Sequence, residues 1–503
     1  MSEERTAYRQ ILRATSLFGG VQVFQIAVAL ARSKAIAVLL GPTGMGIGSL
    51  YTSTLQMIGS LTGLGLQVSA VKDIAASHAS GDEARVATVV TAMRRWVWAT
   101  GLLGLLVVAL GAPWLSELVF EDSAHTMGFV VLSATLLFTA LTSGRLVLLQ
   151  GTRQLKRLAA ANVAGATLGL LAALPLYFWL GEAGIVAALL VTGLVTYVVA
   201  EFIGRSAPIR AVPLTLRQTV DEGRSMVSVG VVLMLNGVLF GLSDYLLRLY
   251  LRDAGGTAEV GLYSAATSIM ANYVGMVFTA MSTDYYPRLS GVMDDKPARD
   301  AMVNQQAEIA LLILGPILVG LIVTLKPAVL VLYSSRFLAV EPMMQWQAIG
   351  VLLKAASWPI GFLMLSGGQG RLFLVTEIVV HSAMLGCSVL GHRIWGLQGV
   401  GIGYLAAYGI YWTMLLGVVA WRYQFRYGGA YLRLLAVQSA VAVAAIGAMR
   451  LLPGWTAYAA GFALLGVASA VAWVGLDRRI GIGSIVARLR DKIRRRLPGG
   501  GPS

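Results

Sequence analysis

Three pairs of charged or titratable residues in this chain have spacings that decide which side chains can meet. Arg32 and Lys34 lie two positions apart in "ALARSKAIAV"; Asp244 and Arg248 lie four apart in "GLSDYLLRLYL"; Glu377 and His381 also lie four apart. On a helix, residues four apart share a face, so Asp244 can meet Arg248 and Glu377 can meet His381. Residues two apart are separated by about 200°, so Arg32 and Lys34 cannot line the same surface. Two single cations, Arg145 and Lys354, complete the set. The chemistry available to such groups is anion recognition and proton movement. Arginine matches phosphate in a bidentate fork, and lysine offers a point charge. A carboxylate beside a histidine can carry a proton or a coupling ion, because histidine titrates near neutral pH.

These residues sit in segments that must be helices in lipid. The 503-residue chain is 57% hydrophobic and only 13% charged, and its mean hydropathy is +0.74. Soluble domains carry about a quarter charged residues. Apolar runs of the length needed to cross about 30 Å of hydrocarbon recur from end to end. Fourteen helices are expected, at 16–40, 46–71, 89–112, 126–149, 158–180, 183–204, 226–251, 260–283, 307–326, 344–365, 372–391, 397–421, 432–451 and 455–476. Gly and Pro mark tight hairpins at "GPTG" (41–44), "LGEAG" (180–184) and "LPGW" (452–455). The joins leave no room for a separate catalytic domain. Cys387 is the single cysteine, so an internal disulfide is excluded. The basic start, "MSEERTAYRQILRATS", leads into an apolar run too long for a cleaved signal, which reads as a first permanent span.

The net charge of +15 follows from topology rather than from nucleic-acid binding. With both termini in the cytoplasm, most of the 39 Lys and Arg fall on the cytoplasmic side. The fold class is therefore an all-α polytopic membrane protein. The organisation read from the sequence is an N-terminal lobe of six helices (1–204), a cytoplasmic linker (205–225), a C-terminal lobe of six helices (226–425), two further helices (426–476) and a basic cytoplasmic tail (477–503). A faint internal repeat supports the two lobes: "GIGSLYTSTLQMIG" (46–59) is similar to "EVGLYSAATSIMANYVG" (259–275). The tail places Ile482, Ile485, Leu489, Ile493 and Leu497 at helical spacing among arginines. It reads either as a surface helix on the anionic leaflet or as a topogenic tail.

Each charged residue carries a plain structural reading beside the functional one. A cation in mid-span costs about 2.5–3.5 kcal/mol on insertion scales, so it faces a bundle interior, a wet cavity or the headgroups. At most one of Arg32 and Lys34 lines a cavity; the other snorkels or packs against a neighbour. Asp244 and Arg248 form either a self-paired bridge that makes the helix insertable or part of a cavity. Arg145 is a boundary cation or an inner gate. Lys354 lies near the middle of its helix and points to a cavity role. Glu377 and His381 serve coupling or a structural hydrogen bond. Asn236, Asn272 and Gln56 read as interhelical hydrogen-bonding residues. Cations outnumber acids in the spans, which favours an anionic substrate such as a lipid diphosphate head.

Several segments, taken in order, carry a family resemblance. "SKAIAVLLGPTGMGIGSLYTSTLQMIGSLTGLGL", "YYPRLSG" (285–291) and "WQAIGVLLKAASWPIGFLMLSGGQGRLFLVTEI" (346–378) resemble bacterial O-antigen and polysaccharide flippases of the Wzx type. Those belong to the multidrug/oligosaccharidyl-lipid/polysaccharide exporter superfamily, and the likeness spans most of 10–425. It implies two six-helix lobes in a V around a central cavity, plus two C-terminal helices. It also implies alternating access that moves an undecaprenyl-diphosphate oligosaccharide from the inner to the outer leaflet of the bacterial cytoplasmic membrane. The substrate diphosphate would meet Arg32, Lys34, Arg248 and Lys354, with Asp244, Glu377 and His381 as coupling or cavity residues and Arg145 at an inner gate. No cofactor is implied beyond a coupling H⁺ or Na⁺. Partners would be membrane lipids and, in assembly, a polysaccharide polymerase and a chain-length regulator.

Other readings stay open. The related lipid II flippase has an acid where Ser33 stands here, which weakens that assignment. In that flippase an extra helix pair like 426–476 forms a lipid-tail groove. A multidrug cation antiporter would call for acids facing its substrate. A polymerase or ligase would call for a long external loop, whereas 112–125 and 327–343 are short. A scaffold within an assembly complex would leave the intramembrane charges without a purpose. The chain is expected not to be an enzyme.

Overall fold

The computed structural model describes residues 2–205 and 212–480; the side chains of 2–18 and of a few positions inside helices, Asn236 and Asn272 among them, lie outside the description. The basic tail beyond residue 480 and part of the inter-lobe linker also fall outside it. Fourteen helices account for almost all the described chain: α1 (Ser2–Leu39), α2 (Gly41–Thr62), α3 (Leu66–Ala79), α4 (Glu83–Phe120), α5 (Thr126–Gly151), α6 (Leu155–Leu180), α7 (Gly184–Gly204), α8 (Leu216–Ser290), α9 (Lys296–Leu332), α10 (Glu341–Ser366), α11 (Gly370–Trp395), α12 (Leu397–Tyr423), α13 (Gly429–Leu451) and α14 (Gly454–Ile480).

Two differences from the expected helix pattern have local causes. The second expected span does not run through to 71. It ends at Thr62, because Leu64 and Gly65 both adopt left-handed conformations (φ 51° and 63°), and α3 then starts afresh. The two expected helices 226–251 and 260–283 are the arms of α8, separated at Gly256, whose φ of 75° and ψ of 179° no L-residue adopts comfortably.

Lipid is the solvent of this fold. Ten described stretches are long and apolar enough to cross a membrane. Large apolar side chains remain on the outside, among them Leu110 (81% exposed) and Phe178 (71%). Trp179, Trp421 and Trp455, at or near helix ends, are also open, as expected where amphipathic rings meet the headgroup level. The molecule is thus a multi-pass membrane protein.

The chain forms two compact units. The first comprises Met1–Ala265 with Leu330–Phe337, and the second Ala266–Val329 with Leu338–Ser503. In the first, a core of Leu66, Ile74, Val90, Met93 and Leu148 ties α3 to α4 and α5. In the second, Tyr285, Ile360, Leu363, Tyr408, Tyr411 and Leu415 make the main buried cluster. Burial differs widely from helix to helix. The most apolar window of α9 is 61% buried and that of α1 only 6%, so α9 is a core helix and α1 is mostly bathed in lipid.

The starts of the two similar segments, at Gly46 and Gly261, meet inside the first unit. A Cβ added at Gly46 would lie 1.7 Å from the Thr257 carbonyl oxygen, and one at Gly261 would lie 1.9 Å from that of Pro42. Helices α2 and α8 therefore cross backbone to backbone, the arrangement small residues permit in membranes. Two turns of chemistry follow from that closeness: Ser49 Oγ lies 2.6 Å from Ser264 Oγ, and Thr54 donates to the Tyr245 hydroxyl at 3.2 Å.

Candidate functional site

The α2–α8 crossing positions the first charged group. Arg248, on the first arm of α8, donates from Nε to Asp244 Oδ2 at 2.7 Å. One of its terminal nitrogens also reaches both Ser49 and Ser264. Tyr263 donates its hydroxyl to the other Asp244 oxygen at 2.8 Å, and its ring lies 5.2 Å from the guanidinium. The spacing of four thus produces the expected pair, and the crossing of α2 over α8 supplies three partners that sequence spacing does not show. This guanidinium is multiply satisfied, with its side chain 12% exposed.

On α1, Arg32 and Lys34 point to different neighbours, as 200° of separation requires. Lys34 is exposed and donates to the Val331 carbonyl oxygen. Arg32 is half-buried on the side of α6, within electrostatic reach of Tyr177. Its Nε is buried with no hydrogen-bond partner among the described residues. Arg32 is thus the less committed of the two cations.

Arg145, near the end of α5, forms a side-on pair with Glu201 on α7, Nη2 to Oε1 at 2.6 Å and Nε to Oε2. Glu201 lies 56 positions away, and no local pattern announces it. Arg205 approaches the same carboxylate at 3.4 Å.

In the second unit, Lys354 on α10 is held by rings. Its Nζ lies 5.3 Å from the centre of Phe278 and 5.8 Å from that of Tyr408. It has no hydrogen bond or ion pair among the described residues. Beside it, the Tyr404 and Tyr408 rings meet tilted, 4.8 Å between centres, and share a hydroxyl hydrogen bond. A desolvated ammonium over aromatic faces gains about 2 kcal/mol, less than a carboxylate contact in the same place would provide. The charge is stabilised and its three donors remain available.

Glu377 and His381 on α11 meet as spaced, at 3.6 Å. The Tyr411 hydroxyl on α12 donates to Glu377 at 2.8 Å. A Tyr–Glu–His line thus runs beside the Lys354 rings, with Tyr408 within electrostatic reach of Glu377. Among the described residues, no group of three or more His, Cys, Asp or Glu is placed to hold a metal ion.

Geometry sorts the charges into three classes. Arg248 and Arg145 are paired with acids, Lys34 is bound to a carbonyl, and Arg32 and Lys354 have no acid partner among the described residues. The residues that sequence reading missed are the partners: Ser49, Tyr263 and Ser264; Glu201; Phe278, Tyr404 and Tyr408; and Tyr411. Apart from Glu201, an acid, only their aromatic or hydroxyl character hinted at them.

Known proteins share both the sequence and the fold. The lipid III flippase of Escherichia coli (strain K12) is 24% identical over 409 residues, covering 79% of this chain and 95% of the relative; that of Shigella flexneri matches equally. A structure of the lipid II flippase MurJ, in an inward closed conformation, superposes with a TM-score of 0.66 at 12% identity, covering 92% of this chain and 99% of that one. An inward-facing multidrug resistance MATE family transporter of the MOP superfamily gives 0.64 at 17%, covering 79% and 94%. These relatives are flippases and transporters, not enzymes. The sequence pattern of the polysaccharide biosynthesis protein family matches residues 35–342. That match takes in more than half of the chain, and the protein belongs to the polysaccharide biosynthesis protein family.

Proposed function

We propose that this protein is a flippase for an oligosaccharide carried on undecaprenyl diphosphate. It moves an O-antigen or exopolysaccharide repeat unit from the inner to the outer leaflet of the bacterial cytoplasmic membrane, with both termini in the cytoplasm. The reading is supported by the family, by relatives that are lipid flippases and by the chemistry of the spans. The observation that carries it is that two intramembrane cations, Arg32 and Lys354, have no acid partner among the described residues. An unpaired cation costs about 2.5–3.5 kcal/mol in mid-span. Such a cost is offset in a protein whose working cycle brings a diphosphate to it.

Arg32 supplies a fork for phosphate oxygens and Lys354 a mobile point charge. Lys34 and Arg248 join when the carbonyl and carboxylate contacts give way to substrate. Alternating access carries the headgroup through a polar path while the polyprenyl tail stays in lipid. The Tyr411–Glu377–His381 line takes the coupling role, with H⁺ or Na⁺ as the coupling ion. Asp244 resets Arg248 between cycles, and Arg145 holds the inner gate through Glu201. A polysaccharide polymerase and a chain-length regulator are the expected assembly partners. A cation antiporter is less well supported, since Asp244 and Glu377 are both already engaged.

The test is a reconstituted flipping assay with fluorescent undecaprenyl-diphosphate sugar in proteoliposomes. Transport by the wild type that is lost in Arg32→Gln and Lys354→Gln supports the reading. Transport of a lipophilic cation instead, indifferent to both changes, overturns it.

A further inference from the structure

A second cationic site lies between α4, α5 and α7 of the first unit and takes in the Arg145–Glu201 pair proposed above as the inner gate. A cavity of about 140 Å³ is lined by Arg94, Trp98, Arg145, Tyr197 and Glu201 among others. Arg94 lies within electrostatic reach of both Arg145 and Glu201. Its Nε is buried without a hydrogen-bond partner among the described residues. Both Glu201 oxygens face Arg145, and Arg94 Nε finds no acceptor there. With Arg205 at its edge, the site holds three guanidinium groups and one carboxylate. A buried donor without an acceptor is unfavourable, and the excess of positive charge says which kind of acceptor would fit.

The level of the site fixes the class of ligand. Arg145 is six residues before the end of α5, and Glu201 three before the end of α7. At 1.5 Å per residue these lie within about 10 Å of the helix ends, which is headgroup depth. Trp98 lines the cavity and is 48% exposed, as an interfacial aromatic is. On α7, Val198 and Phe202 flank Glu201 and are 53% and 75% exposed, leaving apolar ground for acyl chains beside the cationic cavity.

We propose that the Arg94–Arg145 cavity binds the phosphate headgroup of an anionic membrane phospholipid, as a resident lipid rather than as cargo. The phosphate accepts from Arg94 and bridges toward Arg145 beside its Glu201 partner, while Trp98 seats the glycerol region. With the N-terminus in the cytoplasm, this end of α4, α5 and α7 faces the anionic inner leaflet.

The experiment is native mass spectrometry of the full chain in detergent, titrated with phosphatidylglycerol or phosphatidylcholine. The wild type should retain phosphatidylglycerol selectively. Arg94→Gln should weaken that binding about fivefold, the effect of one interfacial cation. Glu201→Gln should strengthen it, since the competing negative charge is removed; this opposite sign keeps the test decisive should Arg94→Gln fold poorly. Equal binding of phosphatidylcholine, or an unchanged affinity in both variants, overturns the proposal. Displacement by inorganic phosphate at matched concentration would assign the cavity to a free anion. Displacement by undecaprenyl diphosphate would make it a station for cargo. Either overturns a resident lipid and leaves the flippase reading to its own transport assay.

Discussion

Arg248 and Lys354 are both cations inside apolar helices, and they are held in opposite ways. Around Arg248 the backbones of α2 and α8 approach so closely that two serines, a tyrosine and an aspartate converge on one guanidinium. Around Lys354, among the described residues, lie the faces of Phe278 and Tyr408, with Tyr404 beside them. The first arrangement spends the charge on structure: Nε is bonded to Asp244 and one terminal nitrogen to Ser49 and Ser264, at the crossing of α2 over α8. The second holds a half-buried charge beside two rings without consuming its donors. Intramembrane charge is therefore not one signal. Its meaning depends on whether the fold supplies an acceptor or leaves that to a ligand.

The contrast is sharpest at Lys354. Lys354→Gln should leave Tm close to wild type and lower flipping by roughly a hundredfold, the loss of one charge-assisted contact of about 3 kcal/mol. A large drop in Tm with proportionate loss of activity would place Lys354 in the same class as Arg248. At Arg248 the expected effect is the reverse. Arg248→Gln leaves Asp244 without its cation and should cost about 2–3 kcal/mol of stability, discounted from the fully buried case because Asp244 is partly open. The double change with Asp244→Asn should recover much of that in a thermal unfolding series; no recovery would mean that the pair is not the unit that matters.

Gly46→Ala tests the scaffold rather than the charge. It drives a methyl into the Thr257 carbonyl, and a loss of about 1–3 kcal/mol is expected from overpacking. The loss should be accompanied by weakened protection of Arg248 partners in hydrogen exchange. Arg32→Gln should lower flipping by about tenfold, less than Lys354→Gln, since Tyr177 and the headgroup region remain near. Lys34→Gln should have the smallest effect, within about threefold, because its visible acceptor is a single carbonyl on an exposed path. If Lys34→Gln exceeds Arg32→Gln in the same transport assay, the sorting of these two cations is inverted.

The sequence was most informative about what repeats along the chain and least about what faces what. Apolar runs and Gly–Pro punctuation located every span, since a bilayer imposes length and permits only satisfied backbones. Spacing of four located the Asp244–Arg248 and Glu377–His381 pairs, and spacing of two separated Arg32 from Lys34. The break at Leu64–Gly65 was not legible, because it rests on a left-handed leucine that composition does not announce. The partners of Arg145 and Lys354 were not legible either. Nearly uniform apolar helices have no polar face to fix their rotation, so neighbours are chosen by packing between segments far apart in sequence. Glu201 and Phe278 become visible only when α7 and α8 are in place.

The most direct test of the central claim is native mass spectrometry of the purified chain with undecaprenyl-diphosphate sugar, undecaprenyl monophosphate and a lipophilic cation. Wild type, Arg32→Gln, Lys354→Gln and Arg248→Gln would be compared under one condition. The account predicts selective binding of the diphosphate, weakened most by Lys354→Gln and Arg32→Gln and less in whatever fraction of Arg248→Gln remains folded, because Arg248 joins the substrate only after leaving Asp244. Preference for the cation, or diphosphate binding that ignores both Lys354→Gln and Arg32→Gln, would contradict it.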